Sequence, residues 1–295
     1  MRPDLPEIVG DLVEDGVHPI VITNGVLLTS ALLKRFPRGT LFQVTLLGPS
    51  PSLHDRLAGR RVFERVIHNA ARIRKLGFKF TVVFVATRLN ALAVYDTTVL
   101  AVALGAEGVM YNRVNLSSGM KSNAGDLVPS VSLLKESLHL LQEAVKKYGV
   151  PCVCSVPIPP CLVDPSGFPE IQFGWCPRGG DNAYYTVGPT GLLRPCNHSS
   201  VVLGDLTREG FAEIVSRKRC RDFWAAEPEE CRGCNHPLRF VCRGGCPAAA
   251  DEYWGTPYRR DPFCSLAGYG AKGREKEIQE GALGQAGMRK TRERL

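Results

Sequence analysis

The stretch Cys231-Arg232-Gly233-Cys234-Asn235-His236-Pro237-Leu238-Arg239-Phe240-Val241-Cys242-Arg243-Gly244-Gly245-Cys246 packs four thiols into sixteen residues, spaced C-x2-C and C-x3-C with seven residues between. Two residues between cysteines let both sulfurs turn toward one centre while backbone N–H groups aim at them, a geometry that serves zinc and iron–sulfur clusters alike. Gly233, Gly244 and Gly245 lie inside these loops, where glycine lets the backbone bend close to a bound group without a Cβ in the way. Working outward, Cys176 and Cys196 precede the stretch, with Gly191 just before Cys196, and Cys264 follows it. Seven thiols do not fill two four-thiolate sites, so an eighth ligand is needed; Cys161, His198 and His236 are candidates. All eleven cysteines fall between Cys152 and Cys264. A disulfide scaffold is usually short and secreted, and the opening residues, MRPDLPEIVGDL, do not read as a secretory signal. The expectation is a cytoplasmic, metal-holding protein. On spacing alone, a structural zinc module and iron–sulfur sites both stay open.

Upstream of this region the texture differs. Leu5, Ile8, Val9, Leu12 and Val13 form one apolar stripe of a helix over 4–15, with Asp4 and Glu7 as a capping box and Gly16 as its stop. Strands are expected over 17–23, 41–47, 79–86 and 107–113, helices over 61–76, 94–104 and 130–148, and a last apolar run over 150–156. The strands are continuous apolar runs, as in a parallel sheet covered on both faces, and strands alternating with helices imply right-handed crossovers. Reactive groups in such sheets sit at the C-terminal strand ends, here Thr23-Asn24, Gly48, Thr87 and Arg113. The chain opens on a helix with no strand before it, so the 17–23 strand should carry an unpaired edge. After Pro157–Pro160 the chain turns rich in Gly, Pro and Cys, with helices expected only near 207–218 and 222–226.

Composition sets outer bounds. At 295 residues the chain has room for two domains, and its 44% hydrophobic and 22% charged residues are ordinary for a globular protein. Disordered, collagen-like and coiled-coil classes are excluded, and no apolar run is long enough to span a membrane. The net charge of +8 draws partly on residues 269–295, which hold seven Lys/Arg against four Glu. No aromatic residues alternate with these basic ones, so nucleic acid is not the expected partner.

The spacing Cys176…Gly191-x4-Cys196…Cys231-x2-Cys234…Cys242-x3-Cys246…Cys264 resembles a SPASM domain, the C-terminal extension of many radical S-adenosylmethionine enzymes. Tyr185–Cys196 is similar to that family's hairpin before the second cysteine, Gly204-Asp205-Leu206 to the turn after it, and Asp261-Pro262-Phe263-Cys264 to its ending. The seven residues between Cys234 and Cys242 exceed the usual five. In the front half, Arg2–Ile8 resembles the segment after the family's Gly-Gly-Glu motif, Thr23-Asn24-Gly25 the end of its third strand, and Val44–Gly48 the next strand, with Thr45 at a serine position and Leu47 where Asp is common. His54–Gly59 resembles the loop that follows. The resemblance covers roughly residues 2–265.

The resemblance implies an α/β fold in which residues 1–156 form a partial parallel (β/α) barrel lacking its first two strands, 157–268 the SPASM domain, and 269–295 a basic, disordered tail. It implies one or two auxiliary [4Fe–4S] clusters, an inner one on Cys176, Cys196 and Cys246, with either Cys161 as the fourth ligand or one iron open for substrate or water, and an outer one on Cys231, Cys234, Cys242 and Cys264. It places Asn24, Thr45 and Arg113 against S-adenosylmethionine. The implied substrate is a peptide or protein side chain, with an electron donor and a peptide-binding partner protein and no membrane. The family's radical-generating cluster needs C-x3-C-x2-C after the first strand, and this chain has no cysteine before Cys152. A start placed late or a genuine truncation is the expectation, with no catalytic residue assigned. The second reading is a zinc-binding interaction module fused to an α/β domain. His68 and His139 read as solvated, His198 as a partner for a cluster sulfur, Cys152 and Cys154 as small buried hydrophobes, and Cys220 as a cysteine without partner spacing.

Overall fold

A computed structural model describes residues 2–116, 120–177, 183–225 and 227–266; the expected tail at 269–295 lies outside them. Contacts divide the chain into two units. One comprises residues 1–114, 132–155 and 164–174, the other residues 115–131, 156–163 and 175–295. Each unit is thus built from three separate stretches of the chain.

The first unit begins with α1 (Leu5–Glu14) and β1 (Ile20–Thr23), then α2 (Ser30–Leu33), β2 (Leu41–Thr45), α3 (Pro51–Ala58), α4 (Phe63–Lys75), β3 (Lys79–Ala86), α5 (Val94–Ala103) and β4 (Val109–Arg113). After α6 (Ala124–Leu127), a short helix of the second unit, come α7 (Val131–Tyr148), β5 (Cys152–Cys154) and β6 (Gln172–Phe173). The six strands pair in the order β1-β2-β3-β4-β5-β6, every pair parallel. A sequential order without reversal is that of a barrel segment; a doubly wound sheet reverses direction at a switch point. One face of the middle strands is covered: Phe42, Phe80, Phe84 and Tyr111 share it and are fully buried, whereas Thr81, Val85, Met110 and Asn112 on the other face are half-buried, which corrects the expectation of a sheet covered on both faces. At the edge, β1 leaves Ile20 50% and Ile22 71% exposed.

Local chemistry explains the elements and two corrections. Asp4 is the N-cap of α1 but makes no capping bond. Its carboxylate is taken by the Arg2 guanidinium, and Glu7 pairs with Arg35, so the capping box does not form. The His54–Gly59 segment is the second half of a helix, α3, not a loop; Pro51 sits in its first turn and Gly59 ends it at φ 70°. Asp55 at its end accepts the backbone N–H groups of Val62 and Phe63 at 2.9 and 2.8 Å, so one carboxylate starts the next helix, α4. His54 is buried, with Nδ1 accepting from the Leu47 N–H at 3.2 Å.

The second unit holds an antiparallel sheet of β7 (Thr186–Val187), β8 (Leu192–Arg194) and β9 (Gly204–Asp205), followed by α8 (Phe211–Ser216) and α9 (Lys218–Ala225). Then come α10 (Arg239–Cys242), α11 (Pro247–Trp254) and α12 (Pro262–Leu266). Its core gathers Leu193, Leu203, Ile214, Cys220, Phe223 and Trp224. A Cβ on Gly204 would lie 2.6 Å from the Ile214 side chain, so glycine is what lets α8 seat on β9.

Candidate functional site

The β7-β8 hairpin turns on Gly191 at φ 85° and delivers Cys196 just beyond β8. Cys176 packs on the core beneath this hairpin. Cys196 lies within electrostatic reach of Cys176 and Cys246, and the backbone N–H groups of His198 and Ser199 point at its sulfur. His198, expected to partner a cluster sulfur, here turns its main-chain N–H to the Cys196 sulfur. Burial is the chief cause that pushes the Cys196 thiol up to about 11. Cys246 is the N-cap of α11: its Sγ accepts from the Ala249 N–H and from Asn115 Nδ2, each at 3.5 Å. A sulfur there sits at the positive end of the helix, a setting that favours thiolate.

A second group forms around Cys231, which lies near Cys242, Cys234 and Cys161; burial pushes its thiol up to about 11. Cys161 hydrogen-bonds to Cys264, which holds its thiol below the ordinary range. Cys161, expected beside Cys176, Cys196 and Cys246, stands in this structure with Cys264 and Cys231. It rides on a turn in which Leu162 and Val163 donate to the Pro159 carbonyl, and burial of Val163 fixes that turn beside Cys264. His236 is also near Cys161, with Nδ1 accepting from the Leu238 N–H. Among the described residues, no three His, Cys, Asp or Glu side chains close on a single ion.

Asp261, fully buried, joins these parts. Its carboxylate accepts the Cys246 N–H at 3.0 Å and the Phe263 N–H at 2.9 Å, and its own N–H donates to the Gly244 carbonyl. Sequence reading quoted this residue without a role. Its only signal was position, three residues before Cys264. The remaining cysteines stand apart. Cys152 and Cys154 are buried on β5, and burial pushes Cys152 up to about 12. Cys220 is buried in the second unit's core.

In the first unit, Asn24, Thr45 and Arg113 stand at or just past the C-terminal ends of β1, β2 and β4. Asn24 folds back to accept from the Val26 N–H, Thr45 is half-buried, and Arg113 is only 1% exposed. Burial removes Arg113 from the solvated rim. The residue that organises these strand ends is Asn90. Its amide donates to the carbonyls of Leu47 and Val85, and its oxygen accepts from Thr87 N–H and Oγ1. Nothing local in the sequence marks it.

A family model described as an iron–sulfur cluster-binding domain, SPASM, matches residues 176–235. The PqqA peptide cyclase of Ruegeria pomeroyi is 28% identical over 279 residues, covering 90% of this chain and 71% of that protein. The PqqA peptide cyclase of Streptomyces rochei is 27% identical over 278 residues, covering 90% and 73%. Among solved structures, native anSMEcpe with bound AdoMet shares the fold at TM-score 0.61 and 15% identity, over 91% of this chain and 73% of that one. Streptococcus suis SuiB bound to S-adenosylmethionine does so at TM-score 0.67 and 14% identity, over 89% and 63%. The matched domain, the sequential parallel barrel segment and the cysteine spacing make the chain similar to radical S-adenosylmethionine/SPASM proteins, the SPASM match itself lying within residues 176–235.

Proposed function

We propose that this chain belongs to a peptide-modifying enzyme and that its second unit holds two auxiliary [4Fe–4S] clusters, one on Cys176, Cys196 and Cys246, the other on Cys231, Cys234, Cys242 and Cys264, with Cys161 flanking the second. The observation that carries the reading is the sorting of the thiols into two groups, with backbone and side-chain N–H donors on the Cys196 and Cys246 sulfurs of the first. Such donors stabilise thiolate and tune a cluster's potential. Bound clusters supply one-electron transfer. The protein's own part is to keep the sulfurs placed and partly desolvated: the Cys246 cap on α11, the Asp261 clamp and the packed hairpin do this.

The peptide substrate is inferred from relatives that are PqqA peptide cyclases and from a SuiB structure bound to its precursor peptide SuiA. An electron donor and a peptide-binding partner are part of the proposal, as is the placement of Asn24, Thr45 and Arg113 toward S-adenosylmethionine. No cysteine within residues 1–151 can hold a radical-generating cluster, so no radical step is assigned to these 295 residues. Anaerobic reconstitution tests the reading. Brown protein with a broad shoulder near ~400 nm and about eight irons per chain is expected for two clusters. Colourless protein with stoichiometric zinc overturns it.

A further inference from the structure

One thiol group has three members. Cys176, Cys196 and Cys246 lie together, and Cys161, the nearest thiol upstream of Cys176, is engaged with Cys264. A four-iron cube on three thiolates leaves one iron for another donor.

Asn115 stands at this place. It follows β4 by two residues and is 7% exposed. Its Nδ2 donates to Cys246 Sγ at 3.5 Å. Its Oδ1 is buried without a hydrogen-bond partner. On a cluster-bound thiolate the sulfur carries no proton to donate, so the amide turns its NH2 group, not its oxygen, toward Cys246. A buried carbonyl oxygen is rarely left unpaired, and one that is calls for an explanation such as an ion. The Tyr184 hydroxyl is near the same three thiols, but the residue is 49% exposed, whereas Asn115 is buried.

We infer that Asn115 completes the inner site, donating through Nδ2 to the Cys246 sulfur and offering Oδ1 to the iron that no thiolate holds. This rests on the cluster reading above. A neutral oxygen in place of a fourth thiolate leaves the cluster one negative charge short, which favours the reduced state, since net charge and hydrogen bonds to sulfur set the potential. Losing it frees the iron to leave.

The test uses the full chain, reconstituted with iron and sulfide under nitrogen, with iron analysis, redox titration and paramagnetic resonance. Asn115→Ala is expected to lose about one iron per chain from the full two-cluster complement and to show the oxidised three-iron signal. Asn115→Cys is expected to keep every iron and to titrate at a lower potential, as is Asn115→Asp, which restores an oxygen with a charge. Full iron in Asn115→Ala with the wild-type spectrum overturns the inference; full iron with only a shifted potential overturns the ligand role and leaves a hydrogen bond. Should Asn115→Ala fail to fold, Asn115→Cys decides, and an unchanged potential there overturns the inference. A wild-type chain that takes up no iron refutes the cluster reading itself, whereas a fully loaded wild type with indifferent Asn115 variants refutes only this assignment.

Discussion

Replacing Asp261 by alanine should unfold the second unit more easily while sparing the first. The carboxylate accepts two backbone N–H groups, from Cys246 at 3.0 Å and Phe263 at 2.9 Å, and is completely buried. A hydrogen bond to a charged group is worth about 1.5–3 kcal/mol. Removing both, with the two N–H groups left dry, costs about 3–6 kcal/mol, a large share of the roughly 5–15 kcal/mol that holds a domain together. All three tryptophans, Trp175, Trp224 and Trp254, lie in the second unit, so their fluorescence in urea reports that unit alone. With a urea slope of about 1–3 kcal/mol per molar, the fluorescence midpoint of the metal-free chain should fall by about 1 M or more. The far-UV signal of the first unit's helices should keep its midpoint. Asp261→Asn should recover part of the loss, since one carbonyl oxygen remains to serve one of the two donors. A fluorescence shift below about 0.3 M for Asp261→Ala would refute the reasoning that this carboxylate clamps the cysteine loop.

Asn69→Ala should lower the thermal midpoint of the first unit, because the buried Asn69 amide donates to the carbonyls of Gly25 and Val26 at 2.6 and 3.2 Å; the expected loss is about 1–3 kcal/mol, read by circular dichroism, and a wild-type melt would contradict it. His54 makes the first unit sensitive to acid. Burial lowers its folded pKa, so as pH falls through the unfolded value of about 6.5 the unfolded chain takes up a proton that the folded chain resists. Its stability contribution is intact above that value and is lost below it, and a pH-stability slope that His54→Gln leaves unchanged would count against this. Cys161→Ser should retain the iron content of the wild type, because Cys161 flanks a group that already has four thiols; loss of iron would make it a ligand.

Legibility differed by range of interaction. The strand Lys79–Ala86 and the helices α4 and α7 announced themselves through apolar runs and a 3.6-residue stripe, and the structure places them within a residue or two of the expected bounds. Helix α3 did not, because Leu53 and Leu57 are its only large aliphatic residues, too few for a periodic signal; Pro51 in the first turn was the available clue. Strand β6 is two residues long and exists only because β5 offers it a partner. Spacing alone brought out the seven thiols of the site. It could not assign Cys161, whose neighbour Cys264 is over a hundred residues away, nor find Asp261, Asn90 or Asn115, ordinary polar residues until tertiary contacts give them partners.

The C-x3-C pair shows how a short spacing can serve two sites. Cys242 ends α10 and lies near Cys231, whereas Cys246 caps α11 and lies near Cys196. Three residues separate them, and all three, Arg243, Gly244 and Gly245, hold positive φ angles of 45°, 81° and 84°. A left-handed run of that length turns the chain back on itself, and only glycine takes such angles freely. The two glycines are also sterically required: a Cβ would fall 2.3 Å from Pro228 Cγ at Gly244 and 2.6 Å from Asp261 Cβ at Gly245. Arg243 accepts the strained angle with its guanidinium held on the Trp224 carbonyl at 2.9 Å. The reversal sends successive sulfurs to opposite groups, and Asp261 locks it by bonding to the loop at both Gly244 and Cys246. The same loop geometry therefore divides the thiols of one short motif between two groups.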